Sequence, residues 1–280
     1  MNNFFRRTLT GAWIVIFILG GFWLHPVSFL ITGLILLIGT QYEYYTIITA
    51  TGVKPRKAAG LLAGISLYII SSLVASAIIP PRSFLFLIPL ITLIMILELY
   101  AMEDKPFDTL AHTLFPLFYT AVPFSLFPFA AFSRHGLESL LPHAGIVFSP
   151  GIIIGFFLLI WANDTGAYLS GISFGRTRLM KRISPKKTWE GFIGGVITAI
   201  LVAWLLSRWF GVINTMEWIA VSVIISVAGT YGDLIESMLK RSAGVKDSGR
   251  IMPGHGGFLD RFDSTIISFP LVYLFISLLG

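Results

Sequence analysis

The stretch from Phe84 to Ala101 reads FLFLIPLITLIMILELYA, with a single charge, Glu98, near its end. Crossing a hydrocarbon core of about 30 Å takes roughly 20 predominantly apolar helical residues, and this run meets that requirement. Working outward, comparable runs occupy positions 11–24, 27–47, 59–79, 112–132, 149–168, 191–210, 217–237 and 263–279. Hydrophobic residues make up 55% of the 280 positions and charged residues only 12%; soluble domains carry about 25%. Mean hydropathy is +0.83. A large soluble core is therefore excluded. The expected fold is all-α, a polytopic integral membrane protein with about nine transmembrane helices.

Breaks between the runs carry the usual punctuation, at Pro80-Pro81, Pro106, Pro142 and Pro150. The first two runs are separated only by His25-Pro26, a tight turn or a kink in one long segment. Pro116, Pro123 and Pro128 fall inside a run and predict a bent span whose freed carbonyls are met by neighbouring helices. Arg6 and Arg7 precede an apolar run that no small-residue cleavage site closes, so an uncleaved first span is expected; a twin-arginine export signal is the alternative. Cysteine is absent, which removes disulfides, thiolate metal sites and cysteine nucleophiles. The chain divides into membrane-embedded helices over 1–148 and a second region over 149–280 that holds two polar loops.

Basic residues set the orientation. With a cytoplasmic N-terminus, only Arg82, Arg134 and Arg208 of the 20 Lys and Arg residues face outside, and the remaining seventeen face inside. An even number of spans would strand either the Arg176–Lys187 or the Lys240–Arg261 cluster on the wrong side. Ionisable groups in spans are costly and are functional candidates by default. Glu43, Glu98, Asp164, Asp233 and Glu236 all sit at inner span ends, and Asp260 and Asp263 begin the last span. For Glu43 and Glu98 an interfacial anchor is an equally good reading. Asp233, Glu236, Ser237 and Lys240 share one helix face by their spacing.

Two loops concentrate polar residues. The first runs from Trp161-Ala162-Asn163-Asp164-Thr165-Gly166 through Arg176 and Arg178 to Ser184-Pro185-Lys186-Lys187-Thr188-Trp189-Glu190-Gly191. Ser184-Pro185 reads as a turn into a helix that starts near Trp189. A helix start with adjacent lysines suits a polyphosphate; contact with anionic headgroups is the other reading. The second loop holds Ser237, Lys240-Arg241, Lys246-Asp247-Ser248-Gly249 and Pro253-Gly254-His255-Gly256-Gly257-Phe258-Leu259-Asp260-Arg261-Phe262-Asp263. Its glycines allow close backbone approach to a ligand, and Asp260 and Asp263 offer the hard oxygens that Mg²⁺ prefers. His255 is suited to binding phosphate, moving a proton or bracing the loop.

The stretch from Ser237 to Asp263 resembles the signature of the phosphatidate cytidylyltransferases, or CDP-diacylglycerol synthases. Met252 departs from it by an apolar exchange, and the segments at 163–168 and 184–191 resemble the same family. The detailed likeness covers roughly 160–265. It implies attack of a phosphatidate oxygen on the α-phosphorus of CTP, with release of pyrophosphate. It also implies Mg²⁺ on Asp233 and Asp260, with Asp263 as a third or outer ligand, and K⁺ as a plausible second cation. Lys186, Lys187, Lys240, Arg241 and Arg261 become candidates for the triphosphate and the lipid phosphate. Ser184, Lys246, His255, Gly256 and Gly257 are further substrate contacts, and Asp164 is another ligand or orients a cation. The expected partners are CTP, phosphatidate and the bilayer, without nucleic acid, and the span composition is compatible with a homodimer. The competing readings are a transferase acting on another membrane lipid and a transporter. A transporter would place its charges at mid-depth, whereas these gather at one face.

Overall fold

The computed structural model describes residues 3–101, 104–133, 147–249 and 256–279, with backbone alone for residues 3–10. In chain order it contains α1 (Asn3–Trp23), α2 (Pro26–Thr49), α3 (Lys57–Ala75), and a 3-10 turn (Pro81–Phe86) leading into α4 (Leu87–Leu99). Next come α5 (Pro106–Pro116), a π-helical turn (Leu117–Ala121), α6 (Val122–Ser125) and α7 (Phe127–Ala131). The second half holds α8 (Gly151–Phe174), α9 (Trp189–Trp209), α10 (Thr215–Ser242) and α11 (Leu259–Ser277). Two small antiparallel ribbons, β1 (Phe132–Ser133) with β2 (Val147–Phe148) and β3 (Arg178–Met180) with β4 (Ser184–Thr188), complete the described residues.

Seven helical segments among the described residues are long and apolar enough to cross a membrane: 26–49, 57–75, 81–99, 106–131, 151–174, 189–209 and 215–242. The other two expected spans are helical as well. The apolar part of α1 is shorter, Gly11–Trp23, and α11 opens on the charged residues Asp260, Arg261 and Asp263. The chain is a polytopic α-helical membrane protein. Large apolar side chains such as Trp13, Phe86, Phe118 and Trp209 stand exposed on the outside of the bundle, as lipid contact requires.

His25-Pro26 is a turn between two helices. The His25 ring accepts from Val27 N and the Ser28 hydroxyl accepts from His25 N, each at 3.1 Å. Pro26 takes the first helical position, where its missing N–H costs nothing. The bent span at 106–131 breaks as its prolines predict. The π turn after Pro116 leaves the Thr113 carbonyl to be met from outside, and the Tyr45 hydroxyl of α2 donates to it at 2.8 Å. Phe22, Phe127, Phe156, Phe157 and Phe269 form the packed centre, with ring centroids 4.4 Å apart for Phe127 and Phe269.

Helix length positions the polar ends. At 1.5 Å per residue, the 28 residues of α10 and the 24 of α8 reach about 42 and 36 Å. Both exceed the hydrocarbon core of about 30 Å, so the last turns of each can leave it.

Candidate active site

The site begins with a close helix crossing. Gly229 and Gly232 of α10 lie against the start of α11: a Cβ on Gly232 would stand 3.1 Å from Ser264 Cα and closer still to the Asp263 carbonyl. The Ser264 hydroxyl donates to Gly229 O at 3.2 Å. This contact sets Asp233, one residue beyond Gly232, beside Asp263.

Around that crossing opens a cavity of about 520 Å³. Asn163 and Asp164 from α8, Lys186 and Lys187 from β4, Asp233 from α10 and Ser264 from α11 line its polar part. Tyr168, Ile172 and Phe192 form an apolar wall. Lys187 Nζ is 2.7 Å from Asp233 Oδ2, and the Ser237 hydroxyl donates to Asp233 Oδ1 at 3.2 Å. Asp164 lies within electrostatic reach of Lys187, Asp233 and Arg261. Asp263 lies within reach of Asp233, Asp164 and Lys187. Lys187 thus pairs directly with Asp233 and lies within the electrostatic field of two further carboxylates, Asp164 and Asp263.

The lysines arrive on a hairpin. Ser184-Pro185, expected to be a turn, instead starts strand β4, which pairs with β3 through Arg178↔Thr188 and Met180↔Ser184. Proline is tolerated there because it is the second residue of an edge strand. The carboxylate of Glu190 accepts from Arg176 N at 3.1 Å and Thr177 N at 3.0 Å. The Thr188 hydroxyl caps α9 by accepting from Gly191 N at 3.1 Å. Glu190→Ala is therefore expected to loosen the ribbon without unfolding the bundle. The check is limited trypsin digestion, with cleavage at the exposed Arg178, Lys181 and Arg182 several-fold faster than in the parent; an unchanged time course would show that Glu190 does not hold the hairpin.

Behind the cavity lies a second, more buried network. Lys240 Nζ sits 2.5 Å from Asp260 Oδ1 and 2.5 Å from Glu236 Oε2, the latter an ion pair without hydrogen-bond alignment. Asp260 Oδ2 accepts from Ser248 N and from Gly257 N, each at 3.0 Å. The single Ser248 hydroxyl proton is shared between Asp260 Oδ2 at 2.9 Å and Glu43 Oε2 at 2.7 Å. Asp260 and Lys240 are therefore engaged with each other and with the loop, whereas Asp233, Asp164, Lys186 and Lys187 face the cavity. Asp263 joins the two groups, being also within electrostatic reach of Glu236.

The other expected residues fall as follows. Arg241, Lys246 and Arg261 are exposed, and Arg241 Nη1 is 3.5 Å from Val245 O. Gly256 has a φ of +80°, a conformation that favours glycine. Ser184 is half-buried in the hairpin. His255 lies outside the described residues. Glu98 pairs with Arg56 at 3.0 Å and holds α4 to the start of α3, far from this site in role. Glu43 is no interfacial anchor: it is 2% exposed and reaches the loop before α11. Ser248 and Glu190 carry no functional reading in the sequence, whereas the fully buried Glu236 is marked there only as a carboxylate at an inner span end, on one helix face with Asp233 and Lys240.

The carboxylate oxygens of Asp164, Asp233 and Asp263 suit a hard divalent cation. Among the described residues, no three acidic or imidazole side chains stand at the mutual spacing of a closed metal site. Lys187 instead supplies positive charge at Asp233.

A cytidylyltransferase family model matches residues 5–279. The chain belongs to the cytidylyltransferase family. Within 122 residues it is 51% identical to a phosphatidate cytidylyltransferase of Staphylococcus aureus, covering 43% of this chain and 46% of that protein. Proteins of the same name from Staphylococcus haemolyticus and Staphylococcus epidermidis are 49% and 48% identical over the same length. The matched stretch thus spans about half the length of these relatives. Membership in the family agrees with the resemblance read at Ser237–Asp263.

Proposed function

We propose that the chain is a phosphatidate cytidylyltransferase, converting CTP and phosphatidate to CDP-diacylglycerol and pyrophosphate. The observation that carries this reading is the cavity of Asp164, Lys186, Lys187 and Asp233 at the polar end of membrane-crossing helices, in a chain of the cytidylyltransferase family. A polar chamber beside an apolar wall suits the meeting of a water-soluble triphosphate with an amphiphile. An anionic phosphatidate oxygen forms a bond to the α-phosphorus as the bond from that phosphorus to the bridging oxygen breaks, and pyrophosphate leaves. The nucleophile is already charged, so positioning and charge neutralisation matter more than a protein base.

In this reading Lys186 and Lys187 bind phosphate oxygens as mobile point charges, and Lys187 leaves Asp233 to do so. Asp233 and Asp263, with Asp164, would hold Mg²⁺ only by drawing together once Lys187 leaves Asp233, since they do not stand at metal-site spacing as they are, and K⁺ is the proposed second cation. When bound, the metal offsets charge on the triphosphate. Asp260, whose oxygens already serve Lys240, Ser248 and Gly257, would join that set only by giving up one of those partners. The one-sided distribution of basic residues supports a cytoplasmic site in a bacterial inner membrane.

The test is purified protein in detergent with phosphatidate and radiolabelled CTP, with and without Mg²⁺. Labelled CDP-diacylglycerol, formed with Mg²⁺ and lost on chelation, is the expected result. No product under any condition would remove the reading. Labelling of a polyprenyl phosphate but not of phosphatidate would reassign the lipid substrate.

A further inference from the structure

Glu43 connects the two halves of the chain in a way the chemistry above does not use. It belongs to α2, and its carboxylate is buried. Oε2 accepts from the Leu259 backbone N at 2.9 Å and shares the Ser248 hydroxyl at 2.7 Å. Leu259 is the first residue of α11, and the helix has no side-chain cap of its own at Phe258. Its orphan first-turn N–H is met by an acceptor from another helix 216 residues away. A carboxylate at a helix N-terminus is also favoured by the helix dipole.

The backbone around this carboxylate is shaped to admit it. A Cβ added to Gly249 or Gly257 would collide with the Glu43 carboxylate, and one added to Gly39, a turn earlier on α2, would collide with the Phe258 ring. Gly39 and Glu43 thus form one docking face for the turn that begins α11. Glu43 Oε1 has no hydrogen-bond partner among the described residues. A buried polar oxygen without a donor costs stability, which a purely stabilising role for this residue does not explain.

We infer that Glu43 is a positioning residue for the reaction: a cap in trans that fixes the start of α11, and with it Asp260 and Asp263, through Leu259 N and Ser248. It acts through these groups and touches no reacting atom. The inference rests on the proposed cytidylyltransferase activity for its kinetic arm only.

Glu43→Gln keeps the size of the side chain and removes its charge, and Ser248→Ala removes the shared hydroxyl. Each variant is compared with the parent by thermal unfolding, by steady-state kinetics with CTP and phosphatidate, and by hydrogen exchange of the peptide covering Gly257–Phe262. The expected result is a retained fold and faster exchange in that peptide. The kcat should fall about 10- to 100-fold, as for residues that orient ligands from behind, with little change in KM for CTP. The double variant should lose no more than the worse single one, since both act on one network. Parent-like exchange, a parent-like kcat, or additive losses in the double variant would overturn the inference. If the parent itself makes no product, the functional reading fails, and the exchange arm still decides whether Glu43 fixes α11.

Discussion

Lys240→Met is expected to remove most of the folded protein from detergent extracts. Its ammonium lies between Glu236 and Asp260, whose side chains are 1% and 12% exposed, and is itself 13% exposed. Removing it leaves two carboxylates facing each other with no cation between them. Breaking a buried pair by deleting one partner costs about 3–5 kcal/mol, a large part of the 5–15 kcal/mol that holds a typical domain together. Lys240→Arg keeps the charge and should retain more folded protein. Lys240→Met combined with Glu236→Gln should recover part of the loss, because one of the two stranded charges is then gone. Size-exclusion profiles and thermal unfolding in detergent read the result. A monodisperse Lys240→Met protein with the parent's midpoint would show that the clamp contributes nothing to folding.

The second large effect is kinetic. Asp233→Asn is expected to lower the rate of CDP-diacylglycerol formation by about three orders of magnitude, or about 4 kcal/mol in the barrier, while leaving stability almost unchanged. The reason is where Asp233 sits. Its side chain is 35% exposed in the cavity and its partner Lys187 is 28% exposed, so neither is stranded by the neutral amide. Loss of the charge weakens the hold on a cation and on Lys187 together. Asp260→Asn should behave differently, losing stability as well as rate, because both of its oxygens are tied to Lys240, Ser248 and Gly257. Initial rates across a Mg²⁺ titration, beside melting curves, separate the two. Asp233→Asn protein with near-parent rates at limiting Mg²⁺ would sink the role given to this carboxylate.

Much of the architecture is legible in the sequence because lipid as a solvent imposes long apolar runs, and nothing else in the chain competes with that signal. The helices at 26–49, 151–174, 189–209 and 215–242 follow the expected runs, and the polar loops stand out against them. The pairing of charges is not legible. Asp233 and Asp260 look alike from their neighbours in sequence, yet one faces a cavity and the other braces a loop. What divides them is the crossing at Gly232 and the arrival of Glu43 from α2, both set by tertiary packing. The hairpin at 178–188 was hidden for a local reason. Ser184-Pro185-Lys186-Lys187 has none of the apolar alternation of a half-buried strand, since this ribbon is fastened by Glu190 to backbone amides and not by a buried face.

The link from α2 to α11 also has a consequence in time. The 216 residues between Glu43 and Leu259, made at about 5–20 per second, take roughly 10–40 s to synthesise. Through that interval α2 is already in place with a carboxylate whose eventual donors do not yet exist. The nascent bundle must leave that carboxylate in contact with water or with other donors until the last helix arrives. Closing the contact is then a late step of biogenesis, and a chain truncated before α11 would be membrane-inserted yet lack an assembled site.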